Sequence, residues 1–168
     1  MSPEYAAFLA SAFATHGLVG AALGAALFDR PGLGVVAGLP PDVDLLFPAA
    51  LGWPFVHRGI THSLVAVALL ATVTAAAWYT TVDPDDAPAA GAAAVVASLS
   101  HLLIDVTTPK GIPPLSPLSD QVISLSLPTT GHSPVPTVIL WVGCLVVLSR
   151  ADSVAWSDPG FPSLGGRD

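Results

Sequence analysis

The chain has 168 residues, of which 52% are hydrophobic and only 10% are charged. Soluble domains average about 25% charged residues, so this composition excludes an ordinary soluble protein. The net charge is −7, with five lysines and arginines in total, which excludes a nucleic-acid-binding surface built from clustered cations. The single cysteine, Cys144, excludes a disulfide within the chain and is expected to be a small buried side chain.

Long apolar stretches follow one another along the chain. Residues 5–28 and 60–82 carry no charge, and 87–106 is nearly uncharged. Each is close to the length of about 20 residues that crosses the hydrocarbon of a bilayer. The stretch 33–53 is apolar but interrupted by prolines and aspartates, and 135–149 is short. We therefore predict an all-α, polytopic membrane bundle with four to five membrane segments, one of them broken or re-entrant.

The chain is predicted to form one domain over residues 1–150, followed by a flexible polar tail at 151–168. The amino terminus lacks the positive residues of a cleavable signal, so the first apolar segment is expected to remain as a helix. Prolines mark 83–88 as a turn between two spans and prevent 107–136 from forming one helix. The first segment spaces glycines for close helix packing, at Gly17, Gly20 and Gly24.

The positions of the cations predict how the chain is oriented. Arg30, Arg58 and Lys110 flank membrane segments, whereas the loop 83–88 has no positive charge. The positive-inside rule then places these cations in the cytoplasm, beneath the inner (cytoplasmic) membrane, and the loop outside. For Arg30 and Arg58 to share a side, residues 33–53 must dip into the membrane and return, or form a helical pair.

Histidine and aspartate side chains are predicted to meet at one membrane face. His57 and His62 lie at the start of one predicted span. His101 and Asp105 lie at the end of the next, so an antiparallel hairpin brings all four to the same face. His101 and Asp105 share one side of a helix because they are four residues apart. His57 and His62 converge if His57 lies in the loop and His62 in the first helical turn, with Thr61 as the N-cap.

The segment LPPDVDLLF adds two carboxylates, Asp42 and Asp44. The prolines before them discourage a helix, and in an extended chain both side chains point the same way. An ionisable group at membrane depth is costly and by default marks a site with a partner. Neutral histidine with aspartate is the ligand set of zinc, manganese or iron, and such a cation would neutralise the carboxylates.

Each of these residues also has a structural explanation when it is taken singly. His16 is explained by hydrogen bonding between helices, and Asp42 with Asp44 by an exposed turn. Arg58 is explained as a cation whose side chain reaches the membrane surface. Convergence of the whole set favours a shared metal site over these explanations, and His132 is predicted to be a loop histidine outside that site.

Four motifs occur in order along residues 14–119: ATHGLVGAALG, PDVDLLF, HRGITHS and SHLLIDVTTPKGIPPLSP. Together they resemble the YdjM-like family of membrane-bound, metal-dependent hydrolases. The resemblance implies a polytopic membrane protein with a divalent-metal hydrolase site. The family's motif residues fall here on seven positions, which are His16, Asp42, Asp44, His57, His62, His101 and Asp105.

A bound divalent cation would supply hydroxide near neutral pH, and paired cations would clamp the attacking and leaving oxygens of a phosphoester. Arg58 is expected to bind the anionic group, because its planar end matches phosphate. Lys110 would add a second positive charge, and Asp44 would act either as a ligand or as the base that orients water. A site at the membrane surface predicts a membrane lipid, or another amphiphile with a phosphorylated headgroup, as the substrate.

The main alternative is a non-catalytic metal-binding membrane protein or a divalent-ion transporter. A transporter needs polar groups that continue to the other face, and the far halves of the predicted spans offer only threonine and serine. An intramembrane metalloprotease is disfavoured because the sequence has no HExxH motif. The hydrolase interpretation therefore predicts loss of activity in His62→Ala and Asp105→Ala, and unchanged activity in His132→Ala.

Overall fold

The computed structural model describes residues 2–129 and 132–151. Their regular structure is helical, apart from an antiparallel bridge between Ile112 and Ile123. Three of the helices are long and apolar enough to cross a membrane, and a fourth apolar helix is shorter, which confirms the predicted all-α membrane bundle. The predicted tail after residue 151 lies outside the described residues. The helices are α1 (Pro3–Phe28), α2 (Pro31–Gly38), α3 (Leu64–Thr81), α4 (Ala87–Val106) and α5 (Pro134–Arg150).

Helix α1 is a continuous helix of 26 residues, about 39 Å long. Ser2 caps its start by accepting the backbone N–H of Tyr5, and Pro3 occupies the first turn, where no helical hydrogen bond is lost. The helix ends where Asp29 adopts a left-handed conformation with φ of 57°. The first predicted span is therefore confirmed, and His16 lies near the middle of this helix.

Glycines let α2 pack directly against α1. Gly20 and Gly34 face each other so closely that a Cβ on either one would collide with the carbonyl oxygen of the other. The chain reverses direction at Arg30, and α2 runs back along α1 to the level of His16, where Gly38 meets the His16 carbonyl. The predicted re-entrant segment thus begins as a short helix paired with α1.

A 3₁₀ helix, Pro40–Leu46, follows α2 and carries both predicted carboxylates. The expectation of an extended segment is wrong, because the two prolines occupy the first turn of this helix, where proline is tolerated. Asp42 and Asp44 nevertheless both point inward and are only 6% and 3% exposed. Two shorter 3₁₀ helices follow, Ala49–Leu51 and Ile60–His62.

Helix α3 begins after Ser63, whose hydroxyl accepts the backbone N–H of Ala66 at 3.2 Å. The prediction that Thr61 is the N-cap is wrong, because a 3₁₀ turn at Ile60–His62 delays the start of the helix. The Thr61 hydroxyl instead donates a hydrogen bond to Asp44, in the first 3₁₀ helix. This shift places His62 just before α3 rather than within it.

Helices α3 and α4 form an antiparallel hairpin, and α4 lies at the centre of the bundle. From Ala87 to Ser98 its buried face consists of small residues, which allow neighbouring helices to approach closely. In α3, only 11% of the most apolar window is buried, so most of its surface is left for lipid. The alanines of α4 that are at most 1% exposed are Ala90, Ala93, Ala94 and Ala97.

Arg30 and Arg58 lie at opposite ends of the bundle. Arg30 forms an ion pair with Asp86, just before α4, whereas Arg58 pairs with Asp105, near the end of α4. About 28 Å of helix separate the two aspartates. The prediction that these arginines share a membrane face is wrong, because α1 crosses the whole bundle to reach Arg30 and the eight-residue α2 returns only part of the way. The cations of the described residues are balanced between the ends, Arg30 and Arg150 at one and Arg58 and Lys110 at the other.

The proline-rich segment after α4 folds over the end of the bundle that carries Asp105. The prediction that 107–136 does not form one helix is confirmed for its described residues, of which only 134–136 are helical, at the start of α5. The segment is tied to α3 by the backbone N–H of Leu64, which donates to the Pro114 carbonyl at 2.9 Å. Helix α5 then packs along α1, where the indole of Trp141 donates to the Thr15 hydroxyl at 2.9 Å. Cys144 is buried between these helices, which confirms its expected packing role.

Candidate metal centre

Every residue that the sequence singles out as a metal ligand lies at one end of the bundle, in or beside a buried polar centre. His62 and His101 are fully buried, and His16 and Asp105 are at most 2% exposed. Buried ionisable groups of this kind require partners, because burial of an unpaired charge is costly. Helix α1 supplies His16, the first 3₁₀ helix Asp42 and Asp44, the following loop His57, the third 3₁₀ helix His62, and α4 His101 and Asp105.

Four of these residues form the central cluster, defined as Asp42, His62, His101 and Asp105. The Nε2 atom of His62 lies 3.2 Å from Asp105 Oδ2 and 3.5 Å from Asp42 Oδ1. The Nε2 atom of His101 lies 3.5 Å and 3.7 Å from the same two oxygens. Among the described residues, neither nitrogen nor Asp105 Oδ2 has a partner with hydrogen-bond geometry. Two imidazole nitrogens and two carboxylates that face a common point fit a divalent cation such as zinc.

The other ring nitrogen of each central histidine is held by an acceptor. Nδ1 of His101 lies 2.8 Å from the backbone carbonyl of Gly38. Nδ1 of His62 lies 3.1 Å from the Thr61 hydroxyl oxygen, whose own proton is donated to Asp44, and 3.1 Å from Asp44 Oδ2. An N–H donated to such acceptors places the proton on Nδ1 and leaves Nε2 with its lone pair directed at the cluster. This arrangement is characteristic of histidines that bind metals.

Asp44 is the hub of a second hydrogen-bond network. Its carboxylate receives the Arg58 backbone N–H at 2.9 Å and the Thr61 hydroxyl at 2.6 Å, and lies 2.8 Å from Nδ1 of His57. Burial alone would raise the pKa of Asp44, but hydrogen bonds from His57, His62 and Thr61 outweigh burial and hold the pKa well below its usual range. Asp44 is therefore ionised and held in place, with both oxygens engaged by protein groups.

The carboxylates around His62 favour a positive charge at the position of its ring. Burial lowers the pKa of His62, but the facing carboxylates of Asp105, Asp42 and Asp44 outweigh burial and raise the pKa to about 10. A divalent cation would neutralise the same carboxylates, and its binding would displace a proton from this imidazole.

Arg58 lies beside the centre, but its side chain is engaged by the protein. The Nη2 atom donates to Asp105 Oδ1 at 2.7 Å, and Nη1 donates to the Thr108 hydroxyl. The backbone carbonyls of Asp105 and Gly111 lie 3.3 Å from Nη1. The side chain is only 10% exposed. This placement favours a role in positioning Asp105 over the predicted role as an anion clamp.

His132 is the residue of the centre that the sequence did not indicate. Its Nε2 atom lies 3.1 Å from Asp105 Oδ1, and its side chain is 6% exposed. It lies in a turn before α5, as predicted, but it forms a further possible ligand group with His16 and Asp105. The sequence could have indicated that His132 belongs to the centre, since the chain has five histidines and the other four were predicted ligands of the site.

A cavity of about 410 Å³ opens beside the centre. One side of its lining is apolar and comes from the start of α1, through Tyr5, Phe8 and Leu9. The other side is polar. Lys110 belongs to that side, and its side chain is exposed. Its partial burial, and then the charge of Arg58, lower the pKa of Lys110. The remaining lining residues are His57, Arg58, Thr108, Pro109 and His132.

The family model described as YdjM inner membrane protein matches residues 12–160 of the chain. This match covers most of the sequence, including all the residues of the centre. The chain belongs to the YdjM inner membrane protein family. The family's description and the three long apolar helices agree on a membrane location. No curated protein and no solved structure matches the chain significantly.

Proposed function

We propose that this YdjM-family protein is a membrane-embedded, divalent-metal-dependent hydrolase that cleaves a phosphoester in an amphiphilic substrate such as a phospholipid. The observation that carries the proposal is the central cluster, whose two Nε2 atoms and two carboxylates face a common point next to an open cavity. Zinc is the cation that this donor set favours, and manganese or iron are the alternatives.

The chain's own residues would hold, orient and position the cation. When bound, the cation would polarise the phosphoryl group and activate water near neutral pH. The central cluster would hold it, and Asp44 with the Gly38 carbonyl would keep the two imidazoles correctly oriented. Arg58 would position Asp105 through its ion pair. In this proposal Asp44 is a positioning residue rather than the base.

Lys110 is the cation that we assign to the phosphate of the substrate. It is exposed and lines the cavity, whereas both terminal nitrogens of Arg58 already contact protein acceptors. An ammonium on a flexible side chain can bind phosphate as a point charge. The predicted anion-binding role of Arg58 therefore passes to Lys110.

The surroundings of the cavity support an amphiphilic substrate. Tyr5 and Phe8 form its apolar wall and are themselves 48% and 45% exposed. Leu46 and Leu118, on segments at the same end of the bundle, are 82% and 86% exposed. Large exposed apolar side chains around a polar site suit the boundary between headgroups and acyl chains better than bulk water. A substrate with an apolar tail and an anionic headgroup would match both sides of the cavity.

Packing below the centre supports a site open at one end, rather than the alternative of an ion transporter. Ser98 lies one turn below His101, and its hydroxyl donates a hydrogen bond to the Ala37 carbonyl at 2.9 Å. The next buried positions of α4 towards the far end, Ala97, Ala94, Ala93 and Ala90, are apolar and at most 1% exposed. A transport path would require polar groups that continue through this region.

The test is hydrolysis by detergent-purified protein loaded with Zn²⁺ or Mn²⁺, with phosphatidylglycerol and bis(p-nitrophenyl) phosphate as probes. We expect His62→Ala and Asp105→Ala to abolish cleavage. Gln121→Ala, an exposed position on the segment that covers the same end, should retain it. Failure of the metal-loaded wild type to cleave either probe would overturn the hydrolase and leave a non-catalytic metal-binding protein. The position of His132 also changes one expectation, because His132→Ala should now lower activity.

A further inference from the structure

We infer that the centre binds two divalent cations bridged by Asp105, and that His132 is a ligand of the second one. This inference rests on the metal binding in the proposed function but not on hydrolysis. The second cation would lie in the second cluster, defined as His16, Asp105 and His132, whose ligand atoms are all within 4.8 Å of one another.

The two oxygens of Asp105 face different sets of histidines. Oδ2 lies 3.2 Å from His62 Nε2 and 3.5 Å from His101 Nε2. Oδ1 lies 3.1 Å from His132 Nε2 and 3.7 Å from His16 Nε2. Each carboxylate oxygen has two lone pairs, so Oδ1 can accept the Arg58 hydrogen bond and still bind a cation. Because each oxygen of the Asp105 carboxylate faces its own pair of histidine nitrogens, this carboxylate is placed to bridge two cations.

A stacked pair of imidazoles links the two clusters. The rings of His16 and His101 lie nearly parallel, at an interplanar angle of 14°, with their centroids 3.5 Å apart. One Nε2 faces Oδ1 of Asp105 and the other faces Oδ2. The two clusters therefore lie side by side, linked by the Asp105 carboxylate and by the stacked rings.

The two positions differ in the number of protein donors. The central cluster offers four, which is the coordination of a closed zinc site. The second cluster offers three, which leaves a position open, as in catalytic zinc sites. His132 also lines the cavity. The open position would therefore belong to the cation nearer to the cavity, where an anionic substrate group would arrive.

A third group, Asp44, His57 and His62, has ligand spacing as well, but it does not add a third cation. It would need Nδ1 of His62 while Nε2 of the same ring serves the central cluster, so the ring would have to lose both protons. The Asp44 carboxylate already accepts from the Arg58 backbone and the Thr61 hydroxyl. This group is a hydrogen-bond network that orients the ligands.

The experiment counts cations in the full-length, detergent-purified protein after loading with Zn²⁺ and removal of the excess. Mass spectrometry of metal per chain should give two in wild type and in the Gln121→Ala control. It should give about one in His132→Ala and in the more conservative His132→Gln. Retention of two cations in a folded His132 variant would overturn the inference.

A second readout is the electron paramagnetic resonance spectrum of the manganese-loaded protein. Two Mn²⁺ ions that share a carboxylate should give an exchange-coupled electron paramagnetic resonance spectrum in wild type, and a His132 variant should give the six-line spectrum of isolated Mn²⁺. A six-line spectrum with one ion per wild-type chain would contradict the inference. Two coupled ions without phosphoester cleavage would refute the hydrolase alone, whereas cleavage with a single ion would refute only the second site.

Discussion

Both imidazoles of the central cluster are held on the side that faces away from Asp42 and Asp105. The Gly38 carbonyl holds His101, and Asp44 holds His62. Partners of this kind fix the ring orientation and the tautomer, so they control metal affinity without touching the metal. Asp44 also organises the loop, because it accepts the backbone N–H of Arg58 and the Thr61 hydroxyl.

Asp44→Asn should lower metal affinity about 10–100-fold, the usual cost of changing such a partner. The asparagine amide is neutral, so it accepts the Nδ1–H of His62 less strongly than the carboxylate does. Its NH₂ group is also a donor, and it would face other donors such as the Arg58 backbone N–H and the Thr61 hydroxyl. Competition with a calibrated chelator would measure the change. Asp120→Asn, the same substitution at an exposed position, should leave affinity unchanged. Equal affinities in the two variants would show that Asp44 does not orient the ligands.

At this scale the sequence indicated most of the centre. The sequence predicted that His62, His101 and Asp105 lie together, because an antiparallel hairpin brings the start of one long helix and the end of the next to the same end of the bundle. His132 was missed because it lies in a turn 27 residues beyond Asp105, where no helical periodicity predicts position. The engagement of Arg58 was also unpredictable, since its acceptors include backbone carbonyls whose position depends on the folded loop.

At the scale of elements, the pairing of α1 with α2 sets the depth of the centre. The close contact between Gly20 and Gly34 lets the two backbones approach, and this brings Gly38 to the His101 ring. The long apolar helices were predictable from charge-free windows. The 3₁₀ helix Pro40–Leu46 was not, because prolines are compatible both with an extended segment and with the first turn of a helix.

Gly34→Ala should destabilise the protein by about 1–3 kcal/mol, as overpacking of a close contact does. The new Cβ would meet the backbone carbonyl of Gly20, which cannot move aside as a side chain could. Helices α1 and α2 should also move apart at Gly38, and loss of the Gly38 contact to His101 should weaken metal binding. Thermal unfolding measured with and without Zn²⁺ would test both effects.

Gly143→Ala is the matched control, because a Cβ at this position of α5 would meet nothing within 4 Å. Its unfolding temperature should be equal to that of wild type or slightly higher, because alanine favours a helix more than glycine does. If both alanine variants are equally stable, close α1–α2 packing does not support the centre.

At the scale of the whole molecule, the two ends of the bundle differ in chemistry. The far end is closed by the ion pair of Arg30 and Asp86, with Trp78 stacked against the guanidinium at 5.0 Å. The near end carries the centre, the cavity and exposed leucines such as Leu118. Because the cations of the described residues are balanced between the ends, they do not decide through the positive-inside rule which end faces the cytoplasm, and the cytoplasmic site stays a prediction.

Single cysteines placed in a Cys144→Ala background should show that the two ends of the bundle lie on opposite sides of the membrane. Leu118→Cys at the near end and Pro84→Cys at the far end should react with an impermeant maleimide from opposite sides of the membrane. Labelling of intact and of permeabilised cells would show the side of each, and we expect Leu118→Cys to react only after permeabilisation. Labelling of both from one side would contradict the arrangement of the helices.

The central claim is that imidazoles and carboxylates from α1, α4 and the 3₁₀ helices bind divalent cations together. Metal content per chain, measured on purified protein after a mild chelator wash, tests it most directly. Wild type should retain zinc or another divalent cation, and both His62→Ala and Asp105→Ala should lose most of it while remaining folded. Equal metal content in these folded variants and wild type, or none in any of them after loading, would contradict the account.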